Sequence, residues 1–255
     1  MTETETSKSG QNRIVYMTVD AEPDCPPFLW TWRGIEEGMP LLFDLFDSEG
    51  IKATFFTTGD TAAKHPDCVK MLVAKGHELA CHGYSHTSFA EMDEETARDE
   101  IVRTNEILRK FAPVTSFRAP YLSFPEKFVK ILAEEGFSLD SSRAAYKFKD
   151  APAEVEGGPV RLEASVTSSV LRIPEIIRTP WFRLLQSPVT LFVHPWEFVD
   201  LTGTRLRYDC RFRTGQPALD SLRSAIRQFK DRGFEFRLVR DHVPGAAPAC
   251  RRRSR

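Results

Sequence analysis

The chain has 255 residues, a length that suits a single α/β domain. Hydrophobic residues make up 41% and charged residues 28%, which is typical of a folded globular protein and not of a disordered one. Lysine and arginine number 35 against 36 acidic residues, so the net charge of -1 gives no reason to expect a nucleic-acid partner.

Residues 1–12 are polar and acidic, without the apolar run of roughly 7–15 residues that a secretory signal needs. No segment approaches the roughly 18 apolar residues of a membrane span. The cysteines are odd in number, widely spaced and without a CxxC pair, which favours free thiols in a reducing compartment. They are Cys25, Cys68, Cys81, Cys210 and Cys250. We therefore expect a cytoplasmic protein; the sequence makes no prediction about its oligomeric state.

Strand and helix patterns alternate along the chain. In order, the first half predicts a strand at 13–19, a helix at 39–50, a strand at 52–58, a helix at 68–76, a strand at 77–82 and a helix at 93–111. The second half predicts a strand at 116–120, a helix at 125–136, strands at 137–142 and 189–194, a helix at 217–233 and a strand at 234–239. The section 143–187 has mixed signals and is left unassigned. Such alternation indicates parallel strands joined by crossover helices, hence an α/β sheet or barrel spanning 13–243.

Two terminal segments flank this domain. Residues 1–12 form a predicted flexible N-terminal tail, and residues 244–255 form a predicted flexible C-terminal tail that ends in a run of arginines.

Reactive side chains cluster where the predicted strands end. They are Asp20, Glu22 and Asp24 after the first strand, His82 and His86 after the third, Arg118, Asp140, and His194 after a late strand. In a parallel barrel the carboxyl ends of all strands lie on one face, and that face builds the active site. We therefore expect these residues to converge.

His82 and His86 stand four apart in HGYSH and can reach one metal ion if the segment turns like a helix. The alternative is two exposed loop histidines. The carboxylates of DAEPD favour the metal, because two imidazoles and one carboxylate leave positions open for water, although a solvated turn would explain the same residues. Arg118 is either a surface arginine or the partner that holds one of these carboxylates ionised. His194 is either structural or a general acid.

The segments TVDAEPD, HGYSHTSF, RAPY, DSS and LFVHPWEF resemble, in this order, the five motifs of the polysaccharide deacetylases, also called NodB-homology proteins or family-four carbohydrate esterases. The resemblance covers about residues 14–240. It implies a distorted (β/α) barrel and a divalent metal ion, usually zinc.

The same resemblance implies a role for each matched residue. His82 and His86 would be metal ligands, Asp20 the catalytic base, Arg118 the tether of Asp20, Tyr121 the donor of a backbone N–H to the oxyanion, and His194 the general acid. Leu191 and Trp196 would lie at the acyl pocket, and Asp140, within the DSS motif, would lie near the substrate.

The first motif departs from the family, because Asp20 is followed by Ala21 where a second aspartate is usual. Glu22 or Asp24 must then supply the third metal ligand. Relatives that deformylate lipid-linked amino sugars have the second acid two residues after the first aspartate, which favours Glu22. Relatives that open cyclic amides, such as allantoinases, also have altered first motifs.

The sequence thus predicts a metal-dependent hydrolase that removes an N-acyl group, acetyl or formyl, from an amino sugar. The substrate would be a small molecule or a glycan, free or linked to a carrier. Two alternatives remain: a hydrolase of a cyclic amide or imide, and a barrel that binds glycans without catalysis.

Overall fold

The computed structural model describes residues 13–147 and 156–242, so both predicted tails lie outside the described residues. Its strands are β1 (Arg13–Ala21), β2 (Thr54–Thr57), β3 (Glu78–Cys81), β4 (Ser116–Phe117), β5 (Leu139–Asp140), β6 (Val160–Arg161), β7 (Val189–Val193) and β8 (Phe234–Arg237). Its helices are α1 (Met39–Ser48), α2 (Gly59–Lys64), α3 (Pro66–Ala74), α4 (Glu94–Leu108), α5 (Val129–Glu134), α6 (Ser168–Leu171), α7 (Glu175–Leu184), α8 (Tyr208–Arg211) and α9 (Gln216–Asp231).

The strands form one parallel sheet in the order β6-β5-β4-β3-β2-β1-β7. The last strand, β8, pairs in parallel with the first residues of β1. Beyond β6, Ser165 and Thr190 exchange two hydrogen bonds of 2.9 Å, which brings that end of the sheet beside β7. The result is a curled sheet of parallel strands with helices packed on its outside, and the predicted distorted (β/α) barrel is confirmed.

Side chains alternate between the two faces of each strand, as β geometry requires. Val15, Met17 and Val19 of β1 join the large apolar core between the sheet and the helices. Tyr16 instead belongs to a small apolar cluster inside the barrel. Its other buried members are Phe56, Ala80, Leu139, Leu162 and Val239. Because Asp20 has the same phase as Tyr16, its carboxylate faces the interior of the barrel.

The structure refines the predicted boundaries. The helix predicted at 93–111 is α4, which begins after Asp93 because that side chain accepts a hydrogen bond of 2.8 Å from the backbone N–H of Thr96. The helix predicted at 125–136 shortens to α5, because Glu126–Phe128 forms a 3-10 turn after Pro125. The unassigned section contains β6, α6 and α7. Among the described helices, none is long and apolar enough to cross a membrane.

A buried carboxylate lies inside the barrel at the end opposite to the strand carboxyl termini. Glu78 of β3 accepts hydrogen bonds from Thr54 Oγ1 at 2.7 Å, from Ser116 Oγ at 2.6 Å and from the backbone N–H of Arg240 at 3.0 Å. These bonds join β2, β3, β4 and the segment after β8. Burial raises the pKa of Glu78, and the hydrogen bonds oppose that effect.

We expect Glu78→Ala to lower the free energy of unfolding by about 2–4 kcal/mol, because it leaves buried donors without an acceptor. Glu78→Gln keeps an acceptor oxygen and should cost clearly less. Urea denaturation measures both, with Glu235→Ala as the control, since the Glu235 side chain is 54% exposed. Equal losses for the Ala and control variants would show that Glu78 does not join the strands.

Candidate active site

A cavity of about 370 Å³ opens at the carboxyl ends of the strands. Seven residues predicted from the sequence line it: Asp20, Glu22, His82, His86, Tyr121, His194 and Trp196. Arg118 lies directly behind them, bonded to Asp20. The parallel order of the strands therefore gathers residues that are up to about 175 positions apart in the chain, as expected for this fold.

Glu22, His82 and His86 form a buried group whose ligand atoms all lie within 4.8 Å of one another. Glu22 Oε2 lies 2.5 Å from His86 Nε2 and 3.4 Å from His82 Nε2. His82 Nδ1 is 2.7 Å from the carbonyl oxygen of Arg118. Because a carbonyl only accepts, Nδ1 carries the proton and the lone pair of Nε2 faces Glu22.

The donor set of this group fits a divalent metal ion. Ligands about 2.1 Å from a tetrahedral zinc ion are about 3.4 Å apart, which is the separation of Glu22 Oε2 from His82 Nε2, whereas the 2.5 Å from Glu22 Oε2 to His86 Nε2 is a direct hydrogen-bond distance. Burial opposes ionisation of Glu22, but the neighbouring His86 and His194 lower its pKa well below the ordinary value. Glu22 is therefore ionised, as a metal ligand must be.

Asp20 is held by a buried ion pair. Arg118 Nη1 donates to Asp20 Oδ1 at 2.6 Å and to Thr18 Oγ1 at 2.8 Å, while Nη2 donates to Ser141 Oγ at 2.9 Å. Arg118 is fully buried, and its guanidinium lies 4.2 Å from the ring centroid of Phe56. The contacts fix Asp20 in one orientation at the wall of the cavity.

His194 stands on the other side of Glu22, with its Nε2 atom 3.8 Å from Glu22 Oε1. Its Nδ1 atom lies 2.8 Å from Glu197 Oε1, and Glu197 Oε2 lies 2.7 Å from Arg172 Nε. Burial lowers the pKa of His194, but Glu22 and Glu197 together raise it to about 9. A protonated His194 is therefore favoured at neutral pH.

Glu197 and Arg172 are functional candidates that the sequence did not predict. Glu197 also accepts a hydrogen bond of 2.9 Å from the backbone N–H of His194, and both carboxylate oxygens face a positive partner. Its position three residues after His194 in HPWEF was a usable signal. No sequence signal pointed to Arg172, because it lies in the unassigned section and reaches Glu197 only in the folded protein.

The structure does not bring Asp24 into the group of Glu22, His82 and His86. Its Oδ2 atom accepts from Thr31 Oγ1 at 2.6 Å and from the backbone N–H of Arg33 at 2.9 Å, and its Oδ1 atom accepts from the backbone N–H of Gly34 at 2.8 Å. Asp24 therefore closes the loop after β1. Of the two acids left open by the sequence, Glu22 is the one beside the histidines.

Leu191 and Asp140 also lie elsewhere than expected. Leu191 belongs to the core between sheet and helices, whereas Phe192, one position on, lines the cavity. Asp140 follows Leu139, whose side chain fills the barrel interior, and so points to the other face. There the Asp140 side chain accepts a hydrogen bond of 2.9 Å from the backbone N–H of Ser142. Asp140 therefore stabilises the turn after β5 and does not line the cavity.

The aromatic rings of Tyr121 and Trp196 lie beside the group of Glu22, His82 and His86. Tyr121 adopts φ 61°, in the left-handed region, and its ring packs edge-on against His86 at a centroid distance of 4.8 Å. Trp196 stacks on His194 at 4.9 Å, and its indole N–H donates to Glu22 Oε1 at 3.4 Å. Both rings therefore hold metal-site or acid-site residues in position.

Comparison with known proteins agrees with this architecture. The family model for polysaccharide deacetylases matches residues 7–139, just over half of the chain. The chain therefore belongs to the polysaccharide deacetylase family.

Among curated proteins, the chain is 34% identical over 105 residues to a peptidoglycan-N-acetylglucosamine deacetylase of Bacillus cereus, covering 40% of this chain and 38% of that protein. It is 32% identical over 110 residues to a peptidoglycan deacetylase of Helicobacter pylori, covering 42% of this chain and 37% of that protein. These alignments thus span well under half of either relative. A crystal structure of a peptidoglycan N-acetylglucosamine deacetylase, 22% identical, superimposes with a TM-score of 0.63 over 91% of this chain and 88% of that one, which supports the fold.

We expect Glu22→Ala, His82→Ala and His86→Ala each to lose bound divalent metal, measured by elemental analysis of the purified protein. Asp24→Ala should retain the metal and instead lower the free energy of unfolding by about 1–3 kcal/mol, because the loop donors lose their acceptor. A folded Asp24→Ala variant without metal, beside a Glu22→Ala variant that keeps it, would reverse this assignment.

Proposed function

We propose that the chain is a metal-dependent N-deacetylase that acts on N-acetylated amino sugars of a glycan. One observation carries the proposal: Asp20 with Arg118, the group of Glu22, His82 and His86, and His194 with Glu197 all meet at one cavity. The names of the relatives support the same substrate class.

Glu22, His82 and His86 are the residues that would hold the metal ion, which we propose to be zinc because two imidazoles and a carboxylate suit it. A zinc ion held by these residues would supply Lewis-acid chemistry: it would polarise the acyl carbonyl and lower the pKa of water to about 7.

Asp20 is the general base of the proposed mechanism. Its Oδ1 atom is engaged by Arg118, so the other carboxylate oxygen is the one oriented to accept the proton of the attacking water. Arg118 acts through Asp20: it pairs with the carboxylate and fixes its direction.

His194 is the general acid. Amide cleavage needs a proton on the departing nitrogen, and the Glu197 carboxylate, 2.8 Å from His194 Nδ1, stabilises the protonated imidazole. Glu197 accepts from Nδ1, so the Nε2 atom, on the Glu22 side, is the one that delivers the proton. The backbone N–H of Tyr121 is proposed to stabilise the oxyanion.

The shape beside the site favours a substrate larger than one sugar. A second cavity of about 450 Å³ adjoins the first, shares His86 and Tyr121 with it and is bordered by Trp30 and Glu91. Trp30 is 53% exposed there, and an exposed aromatic surface in a groove marks a ligand-binding site. We infer that a neighbouring sugar lies on Trp30 while Phe192 and Trp196 border the acetyl group.

The test of the proposed function is acetate release from N-acetylglucosamine and its oligomers. We expect faster release from the oligomers, and loss of activity by about 10²–10⁴-fold in Asp20→Asn with the metal content unchanged, since this change removes the base alone. Asp209→Asn, another acid at the cavity, is the matched control. Release from a cyclic amide but from no acetylated sugar would favour the rival function, and full activity of Asp20→Asn would place the base elsewhere.

We expect His194→Ala to lower kcat by about 10²–10⁴-fold with metal retained, and Glu197→Gln to lower kcat by about 10–100-fold with KM nearly unchanged. The loss in His194→Ala should shrink for an activated ester, whose leaving group departs without a proton. Steady-state kinetics measure each, with the exposed substitution Glu37→Gln as control. An equal loss on amide and ester would mean that His194 binds substrate and does not protonate it.

A further inference from the structure

Helix α7 presents its apolar side to the solvent. Ile176, Ile177, Trp181 and Leu184 are 84%, 56%, 55% and 77% exposed, respectively. At 100° per residue these four side chains occupy one face of the helix. A surface helix ordinarily turns such a face toward the core, so the orientation of α7 requires a reason.

The inward side of α7 is held by a buried cation. Arg178 is fully buried and donates to the carbonyl oxygens of Leu171 at 2.6 Å and Ser221 at 3.0 Å. Phe182, on the same side, packs against Phe229 of α9 at a centroid distance of 5.3 Å. Rotating the helix to bury its isoleucines would strip Arg178 of these acceptors, which a buried charge cannot tolerate. The apolar face is therefore fixed outward.

Basic side chains lie at the carboxyl end of this face. Arg183 is exposed, Arg232 Nη1 donates to the carbonyl oxygen of Phe182 at 2.5 Å, and Arg13 Nη1 donates to the carbonyl oxygen of Arg232 at 3.0 Å. Burial lowers the pKa of Arg232, and the nearby positive charges of Arg13 and Arg183 lower it further. This concentration of positive charge is local, because the whole chain has a net charge of -1.

We propose that α7 and these arginines dock the protein on a lipid bilayer that carries anionic headgroups. A side chain that is 84% exposed stands clear of the surface, so a fluid phase that surrounds it buries more of it than a flat protein partner does. Trp181 suits the interface between headgroups and acyl chains. Arg13, Arg183 and Arg232 suit phosphate groups, which guanidinium ions bind through paired hydrogen bonds.

This placement is compatible with catalysis. Arg13 begins β1 and Arg232 directly precedes β8, so the basic cluster lies at the amino ends of the strands. The cavity lies at their carboxyl ends, where Asp20 and His194 are. A protein docked through α7 thus keeps its active-site mouth away from the bilayer and open to a glycan.

The 255-residue protein should co-sediment with vesicles of phosphatidylcholine and phosphatidylglycerol, and less with phosphatidylcholine alone. The double variant Trp181→Ala/Leu184→Ala should partition at least about tenfold more weakly, and Arg183→Gln about fivefold more weakly on the anionic vesicles. Added salt should weaken binding. The matched control is Leu41→Ala/Met71→Ala, which removes two side chains that are 39% and 50% exposed on other helices.

Three outcomes would overturn the proposal. The first is that the parent protein binds anionic vesicles no better than neutral ones. The second is that the double variant binds as the parent does, in which case binding would be assigned to the basic residues Arg251, Arg252, Arg253 and Arg255. The third is that sedimentation velocity reveals a parent dimer that the double variant loses, in which case the apolar face of α7 would bind a second copy of the chain. Unchanged melting temperatures show that all variants are folded.

Discussion

A guanidinium buried inside the barrel is the constraint on which the site depends. Arg118 has no exposed surface, and a buried cation without partners is strongly unfavourable. Asp20, Thr18 and Ser141 meet that demand with side-chain oxygens from β1 and from the end of β5. The carbonyl oxygen of the same arginine accepts from His82 Nδ1. One residue thereby sets the direction of the proposed base, Asp20, and determines which nitrogen of His82 carries the proton.

Three carboxylates of the site differ in role because each has a different cationic or imidazole partner. Asp20 faces Arg118, Glu22 faces His82 and His86, and Glu197 lies between His194 and Arg172. Arg172 lowers the pKa of Glu197 against the effect of burial, so Glu197 remains an anion that holds a positive His194. Charges of alternating sign let the proposed base and the proposed acid line the same cavity.

The part of the site that lies on strands follows from two local rules. Parallel order places strand ends together, and alternation decides which side chains enter the barrel. His194 and Phe192 share one phase on β7 and its end, whereas Leu191 has the opposite phase, so its expected place at the acyl pocket conflicts with the strand geometry. Asp24 lies beyond the end of β1, where alternation no longer applies and loop hydrogen bonds decide. The place of Arg172 beside Glu197 follows from tertiary folding alone and from neither local rule.

Neither the interior of the barrel nor the exposed face of α7 contributes to the main apolar core. Most apolar burial takes place between the sheet and the helices, so the interior is free to hold Glu78 at one end and Arg118 at the other. The apolar core between the sheet and the helices includes Phe182 of α7 but none of its four exposed apolar residues. Helix α7 is attached to α9 through Arg178 and Phe182 and through the hydrogen bonds of Glu175 with Ser224 and of Thr179 with Gln228. Its four exposed apolar side chains are therefore not needed for folding. Exposed apolar side chains lower solubility and, in this position, do not stabilise the fold. This is the physical reason for assigning them to the proposed binding of a lipid bilayer.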